Sequence, residues 1–226
     1  MKNQETTSER RKLVPEMGGP VARMYARQRG TEPQLAAWRK QAAELTADLP
    51  DGADLLEVAF GPGYFAVELA RLGRFTVTGL DVARTFVELA NEHAAKERLR
   101  VDFRQGDVAA MPFEAESFDF VVCQAAFKNF TRPVDALDEM HRVLRPGGIA
   151  VVQDMNTEAS AAEIDREVDS MDVGRVAGFA IRHTLGGMLR RRAYSPERFR
   201  LMVAQSAFGT CEVTTVGIGL EVTLRK

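Results

Sequence analysis

The residues that could do chemistry gather at the end of one apolar run, Leu55-Leu56-Glu57-Val58-Ala59-Phe60-Gly61-Pro62-Gly63-Tyr64. The run closes on an acidic residue, a turn with two glycines follows, and a helical pattern opens at Phe65, Ala66, Leu69 and Ala70. That order spells a strand, a tight turn and a helix N-terminus, the arrangement in which α/β folds seat a nucleotide-like ligand. Gly61 and Gly63 let the chain turn sharply and let a ligand approach where a Cβ would collide. Two further acids stand at matching places. The stretch Phe75-Thr76-Val77-Thr78-Gly79-Leu80 reads as a second strand ending at Asp81, 20 positions beyond Gly61. A carboxylate there accepts hydrogen bonds from ribose hydroxyls. A third strand, Arg100 to Gln105, leads to Gly106-Asp107-Val108 and on to Met111-Pro112-Phe113. Asp107 suits an exocyclic amine, with Val108 and Met111 covering the ring that carries it. Hydrogen bonds to charged acceptors contribute about 1.5–3 kcal/mol each.

Three ligand readings compete at the turn. Gly61-Pro62-Gly63-Tyr64-Phe65-Ala66 satisfies the dinucleotide pattern GxGxxG/A, which points to an NAD(P)-dependent oxidoreductase. That pattern wants free amides aimed at phosphates, and Pro62 removes one of them. Glu57 repels a pyrophosphate but welcomes an ammonium, so S-adenosylmethionine (SAM), which has no phosphate and carries an amino-acid head, is the second reading. The third is an ordinary turn with no ligand.

The elements that position these residues alternate. Strands are expected at 54–59, 75–80, 100–105, 118–123 and 148–154, with helices at 64–72, 83–96 and 133–143 between them. Alternation of this kind implies a parallel sheet with right-handed crossovers and ligands at the carboxyl ends of its strands. Before it, residues 1–18 are polar, one helical pattern runs from Pro20 to Gly30, and a second from Pro33 to Ala47 carries an apolar stripe that includes Trp38. After Met155 the pattern changes to mixed charges and glycines. Ser195-Pro196-Glu197 opens a last helix with a serine cap and a proline in the first turn. Cys211–Val216 and Leu220–Leu224 flank Gly217-Ile218-Gly219 as a terminal hairpin. The fold class is therefore α/β, a doubly wound, mostly parallel, seven-stranded Rossmann-like sheet with a terminal antiparallel hairpin and a helical cap. The chain is expected to form a single domain over 1–226. Within it, 1–50 would be a helical lid, 53–155 the cofactor-binding core, 156–194 a cap, and 195–226 the last helix and strands.

Composition bounds the function. The 226 residues carry 30 basic and 32 acidic side chains, a formal charge of −2, which advertises no nucleic-acid partner. No apolar run is long enough to span a membrane, and the charged start does not read as a secretory signal. Cys123 and Cys211, the two cysteines, suggest neither a disulfide framework nor a metal site. A cytoplasmic monomer or homodimer acting on a small molecule is expected.

With these motifs the sequence resembles the class I SAM-dependent methyltransferases, particularly their small-molecule branch, over about residues 53–155. Glu57 to Gly63 is similar to that family's first motif, with Ala59 in place of its first glycine, and Asp81 matches its ribose-binding acid. Gly106-Asp107 with Met111-Pro112-Phe113 matches the adenine-side motif, and Ser117-Phe118-Asp119-Phe120-Val121-Val122 the fourth-strand motif. Arg142-Val143-Leu144-Arg145-Pro146-Gly147-Gly148 matches the turn before the fifth strand. The run Ala126-Phe127-Lys128-Asn129-Phe130-Thr131 is similar to a loop of quinone-biosynthesis C-methyltransferases. The resemblance implies SAM as cofactor, bound by Glu57, Ala59, Gly61, Gly63, Asp81, Val82, Asp107, Val108 and Gln124, and methyl transfer to a small, partly apolar molecule. A SAM-binding protein without turnover shares every one of these motifs.

Methyl transfer from a sulfonium is an in-line displacement whose leaving group departs neutral. The enzyme must therefore hold the nucleophile in line, and a base matters only if that nucleophile arrives protonated. His183, Asn129 and Tyr25 are the catalytic candidates. His183 lies in the cap between Arg182 and Thr184, and the bland alternative is a solvated histidine. Asn129 follows the fourth strand beside Lys128, and either lines the reaction chamber or braces the loop. Tyr25 in the N-terminal helix and Tyr194 in the cap offer hydroxyls, or simply pack. Asp154 faces the substrate or caps a turn. His93 is expected to be exposed, His141 structural, and Arg190-Arg191-Arg192 a solvated face or an anion site. No metal is expected.

Overall fold

The computed structural model describes residues 17–170 and 174–226, so the polar lead segment falls almost wholly outside the described residues. Seven strands form one sheet in the order β3-β2-β1-β4-β5-β7-β6. These are β1 (Asp54–Val58), β2 (Thr76–Asp81), β3 (Asp102–Gln105), β4 (Phe118–Gln124), β5 (Leu144–Met155), β6 (Glu212–Val216) and β7 (Gly219–Arg225). β1 pairs in parallel with β2 and β4, placing Glu57 opposite Gly79 on one side and Val122 on the other. β7 returns antiparallel against β5, and β6 closes the terminal hairpin. The order reverses between β1 and β4, which makes the carboxyl ends of those strands the switch point where doubly wound sheets bind ligands. The fifth strand starts four residues earlier than its apolar run suggests. Leu144 pairs with Phe118 ahead of a register shift, so the turn residues Arg145 to Gly148 are carried as an irregular strand entry.

Alternate side chains of each strand feed two cores. Leu56, Val58, Val121 and Cys123 face one side, where α5 (Pro133–Val143) supplies Leu137 and Met140 and α9 (Pro196–Val203) supplies Phe199 and Val203. Leu55, Phe120 and Val122 face the other. There they meet α3 (Tyr64–Arg71), α4 (Arg84–Glu97), and Ala22 and Ala42 of α1 (Gly19–Arg29) and α2 (Glu32–Leu45). Each such leucine or phenylalanine contributes roughly 1.5–3 kcal/mol by leaving water. Period two puts Glu57 on the Leu55 side, beneath the turn into α3.

Local chemistry sets the helix ends. The Ser195 hydroxyl accepts from the Arg198 amide at 3.2 Å, with Pro196 in the first turn of α9. Gly63 opens α3 at φ 77°, and a Cβ there would stand 2.5 Å from the Cβ of Ala90 in α4. The cap runs through α6 (Ala161–Ser170) and α7 (Arg175–Thr184). A π-helical turn, Leu185–Leu189, then leads into α8 (Arg190–Arg192). Met155, Ala159, Ile164, Val168 and Ala193 form its own small core.

Candidate functional site

A cavity of about 450 Å³ opens at the carboxyl ends of β1, β2 and β4. Glu57, Ala59, Gly61, Asp81, Val82, Asp107, Val108 and Gln124 all line it. Gly63 does not. Its missing side chain makes room for Ala90 and Phe103, so it serves the contact between α3 and α4 rather than ligand approach. Gly61 is the opposite case. Its φ is 56°, and a Cβ added there would meet no protein atom within 4 Å.

Glu57 is 3% exposed, and its Oε2 has no hydrogen-bond partner. Burial pushes its carboxyl well above the ordinary range. The Ala66 amide opposes that rise, and the Asp81 carboxylate adds to it. An orphaned buried acceptor on a cavity wall calls for a cationic donor, because leaving it unmade costs the desolvation of the group. Asp81, also buried, accepts from the Gly61 amide at 2.9 Å through Oδ2 and from the Ala83 amide at 2.8 Å through Oδ1. Asp107 accepts from the Ala109 amide and, at 2.9 Å, from Arg132.

Ala59 and Ala125 sit at the tips of the two central strands with φ of 55° and 54°. This is the left-handed region that favours glycine. Ala59 therefore keeps the backbone conformation that the usual glycine of this motif would adopt freely. Beside it, Gln124 donates from Nε2 to Gln41 of α2 and to Gln153 of β5, at 3.0 Å each. Gln153 in turn donates to Glu221 of β7 at 2.6 Å. This amide chain ties the N-terminal helices to the sheet beneath the cavity.

The N-terminal helices form part of the cavity wall. The Gly19 amide donates to Thr85 at the start of α4, and the Tyr25 ring lies 6.1 Å from that of Phe86. Tyr64, the first residue of α3, donates to the Ala26 carbonyl at 3.0 Å and stacks on Trp38 at 5.6 Å. The Arg29 guanidinium lies 5.2 Å from the centre of the Trp38 ring. Tyr25, Arg29, Trp38, Tyr64 and Phe86 all line the cavity. Arg29 was not legible as a site residue, although its spacing of four from Tyr25 puts both on one helical face.

The catalytic candidates separate. Asn129 and Tyr25 line the cavity, and neither side chain hydrogen-bonds a described residue. His183 does not line it: it stands exposed on α7, because the inward face there is taken by Ile181 and, at the start of the π-helical turn that follows, Leu185, both packed on the cap core. Lys128 and Asp154 turn away as well. Buried, they pair at 2.7 Å, and the Asp154 carboxylate also accepts from the Lys128 amide, bracing the loop after β4 against β5. Tyr194 is a core residue packed on Phe127 and Phe199. His93 is half-buried, edge-on to Tyr64 at 4.7 Å, rather than exposed. His141 sits edge-on to Phe208. Within the arginine run, Arg192 lines the cavity while Arg190 donates to the Ala159 carbonyl. Among the described residues no group of acidic, cysteine and histidine side chains could hold a metal ion.

Acids at three successive strand tips of a doubly wound sheet are the arrangement in which such folds seat a nucleoside cofactor. Residues 56–152 match the methyltransferase domain family. It is 38% identical over 125 residues to a demethylmenaquinone methyltransferase of Deinococcus radiodurans, covering 54% of this chain and 51% of that one. It is 32% identical over 105 residues to a ubiquinone biosynthesis O-methyltransferase of Roseobacter denitrificans, covering 46% and 42%. The matched region is thus about half the length of these relatives. A SAM-dependent methyltransferase from Aquifex aeolicus shares the fold with a TM-score of 0.67 at 18% identity, over 89% of this chain and 97% of that one.

Proposed function

We propose that the protein transfers a methyl group from SAM to a small, partly apolar molecule. The observation that carries this is the orphaned, buried Glu57 oxygen on the wall of a cavity that also holds Asp81 and Gly61. A phosphate-bearing dinucleotide would meet repulsion there, whereas an amino-acid ammonium supplies the missing donor. Glu57 would hold the ammonium, Asp81 the ribose hydroxyls, and Asp107 with Val108 the adenine. When bound, the cofactor supplies an electrophilic methyl group on a sulfonium. The chain's task is then to place a nucleophile in line and exclude water. Asn129 after β4 and Tyr25 on α1 hold the acceptor's polar group, while Phe130 and Leu189 supply apolar wall. No histidine lines the cavity among the described residues, so positioning rather than histidine base catalysis drives the transfer.

The relatives' names concern quinone-pathway molecules, which fits an acceptor with a polar ring and an apolar body. The N-terminal helices act as a lid and residues 156–194 as a cap within a single domain. The near-neutral charge suits a cytoplasmic monomer or homodimer that engages neither nucleic acid nor membrane. Among the described residues no helix is long and apolar enough to cross a membrane. The test is a screen with methyl-labelled SAM against phenols and quinols of graded apolar tail length. Label transfer that depends on Asn129 and Tyr25 supports the proposal. Binding of SAM with no transfer to any acceptor in the panel would count for a binding protein instead.

A further inference from the structure

We propose that Arg192 receives a carboxylate on the methyl acceptor, so that the acceptor is a small organic acid; this rests on the function proposed above. The sheet order places Arg192 on the acceptor's side. Strand tips run β3-β2-β1-β4-β5, so Asp107, Asp81 and Glu57 follow one another toward β4, and Asn129 stands in the short turn after β4. The next tip is that of β5, one strand spacing of about 4.8 Å further on. The segment carrying Arg192 is tied there. Asn156, just past β5, bridges to Tyr194, and the Thr157 amide donates to the Tyr194 carbonyl at 3.2 Å. The Thr157 hydroxyl donates to the Arg190 carbonyl at 2.9 Å. The backbone is therefore held two residues before and two residues after Arg192. The Tyr194 ring packs 5.9 Å from that of Phe127, the first residue of the turn that ends at Asn129. One packed unit thus carries both Arg192 and Asn129, and both line the cavity.

Three consecutive helical residues point about 100° apart, and the arginine run divides accordingly. Arg190 donates to the Ala159 carbonyl at 3.1 Å, Arg191 is exposed, and Arg192 lines the cavity together with Leu189. Charge then gives the ligand its sign. The described lining residues include three acids, Glu57, Asp81 and Asp107, and three arginines, Arg29, Arg132 and Arg192, with no lysine or histidine. That set balances when every acid is ionised. SAM adds one net positive charge, because its ammonium and sulfonium outnumber its carboxylate. An acceptor with one negative charge restores the balance; a carboxylate brings one, whereas a phosphate monoester brings nearly two. Arg132 is engaged by Asp107 and Asp135 at 2.9 and 3.3 Å, and Arg29 lies over Trp38 on α2. Arg192 is the arginine beside β5. A guanidinium has five donors, so it can keep a protein contact and still grip a carboxylate through two of them.

Calorimetry on the complex with S-adenosylhomocysteine tests this without requiring turnover. That product lacks the sulfonium charge, so the measurement reads Arg192 directly. The probes are hydroxybenzoic acids with and without alkyl tails, each paired with its neutral carboxamide. The wild-type complex should bind an acid about tenfold to a hundredfold more tightly than its carboxamide. Arg192→Met should lose that preference while its affinity for S-adenosylhomocysteine stays unchanged, and Arg192→Lys should recover part of the preference. Unfolding curves check both variants; if Arg192→Met does not fold, Arg192→Gln gives the same comparison. Acid and carboxamide bound alike, or neither bound, would overturn the inference. So would a preference that survives in Arg192→Met, or a loss of S-adenosylhomocysteine affinity in that variant. Each of these outcomes leaves the cofactor reading standing, whereas wild type that does not bind S-adenosylhomocysteine overturns both.

Discussion

The backbone amide of Gly61 donates to Oδ2 of Asp81 at 2.9 Å, so the tip of β2 clasps the turn that follows β1. One carboxylate thereby shapes the turn while lining the cavity. The two residues stand 20 positions apart in sequence and are touching neighbours in space.

The two glycines of the turn should behave differently. Gly63→Val drives its side chain into Ala90 and Phe103, at a position of positive φ, and should lower Tm through lost packing between α3 and α4. Gly61→Ala has open space around its Cβ and pays only the left-handed backbone cost of roughly 1–2 kcal/mol. It should stay folded and lose SAM affinity. Thermal unfolding alongside titration decides this. A Gly61→Ala protein that binds SAM normally would show that no ligand approaches that carbon.

Ala59 holds a left-handed conformation that glycine adopts without strain. Ala59→Gly should keep or raise Tm. Ala59→Val, β-branched at positive φ, should lose about 1–3 kcal/mol in denaturant unfolding. A valine variant as stable as wild type would mean that the turn relaxes freely.

How far the sequence reaches is clear from particular residues. Strand tips, the order of strands and helices, and the terminal hairpin follow from apolar periodicity and glycine placement, which are local signals. Glu57, Asp81 and Asp107 were legible because a parallel sheet brings consecutive strand ends together. Three things were not. Gly63 is a packing glycine because of Ala90, a residue on another helix. Lys128 and Asp154, 26 positions apart, satisfy each other across two strands. Arg29 and Trp38 reach the cavity only because α1 and α2 fold back over α3 and α4. Each of these depends on a tertiary neighbour that neither composition nor spacing encodes.

The Lys128–Asp154 pair is 2.7 Å long, with both side chains almost fully buried. Lys128→Met leaves the Asp154 carboxylate without its cation and should cost about 3–5 kcal/mol. The double change Lys128→Met with Asp154→Leu should recover much of that loss in denaturant unfolding. It also removes an acceptor from the Lys128 amide, so recovery will be incomplete. A single Lys128→Met variant within 1 kcal/mol of wild type, roughly the worth of a surface pair, would show that water reaches the pair.

If Glu57 receives the ammonium as proposed, SAM binding should depend on pH. Burial holds its carboxyl well above 4.5, which favours its protonated form in the free folded protein. An ammonium favours the carboxylate, so binding should expel a proton, and affinity should rise with pH through the raised value. The free protein has the opposite slope. Its folded pKa exceeds the unfolded one, so the stability contribution of this group is present below about 4.5 and is lost as pH rises through the folded value. Calorimetry in buffers of different ionisation enthalpy measures the released proton, and Glu57→Gln should abolish the release. Proton uptake on binding would contradict the assignment of Glu57 to the ammonium.

The most direct test is titration of SAM and of NADH into wild type and Asp81→Ala, with unfolding curves confirming that both are folded. Wild type should bind SAM and not NADH, and Asp81→Ala should bind SAM more weakly by about 1.5–3 kcal/mol, roughly tenfold to a hundredfold. Unchanged SAM affinity in a folded Asp81→Ala protein, or wild type that takes NADH in place of SAM, would contradict the cofactor site described at the tips of β1 and β2.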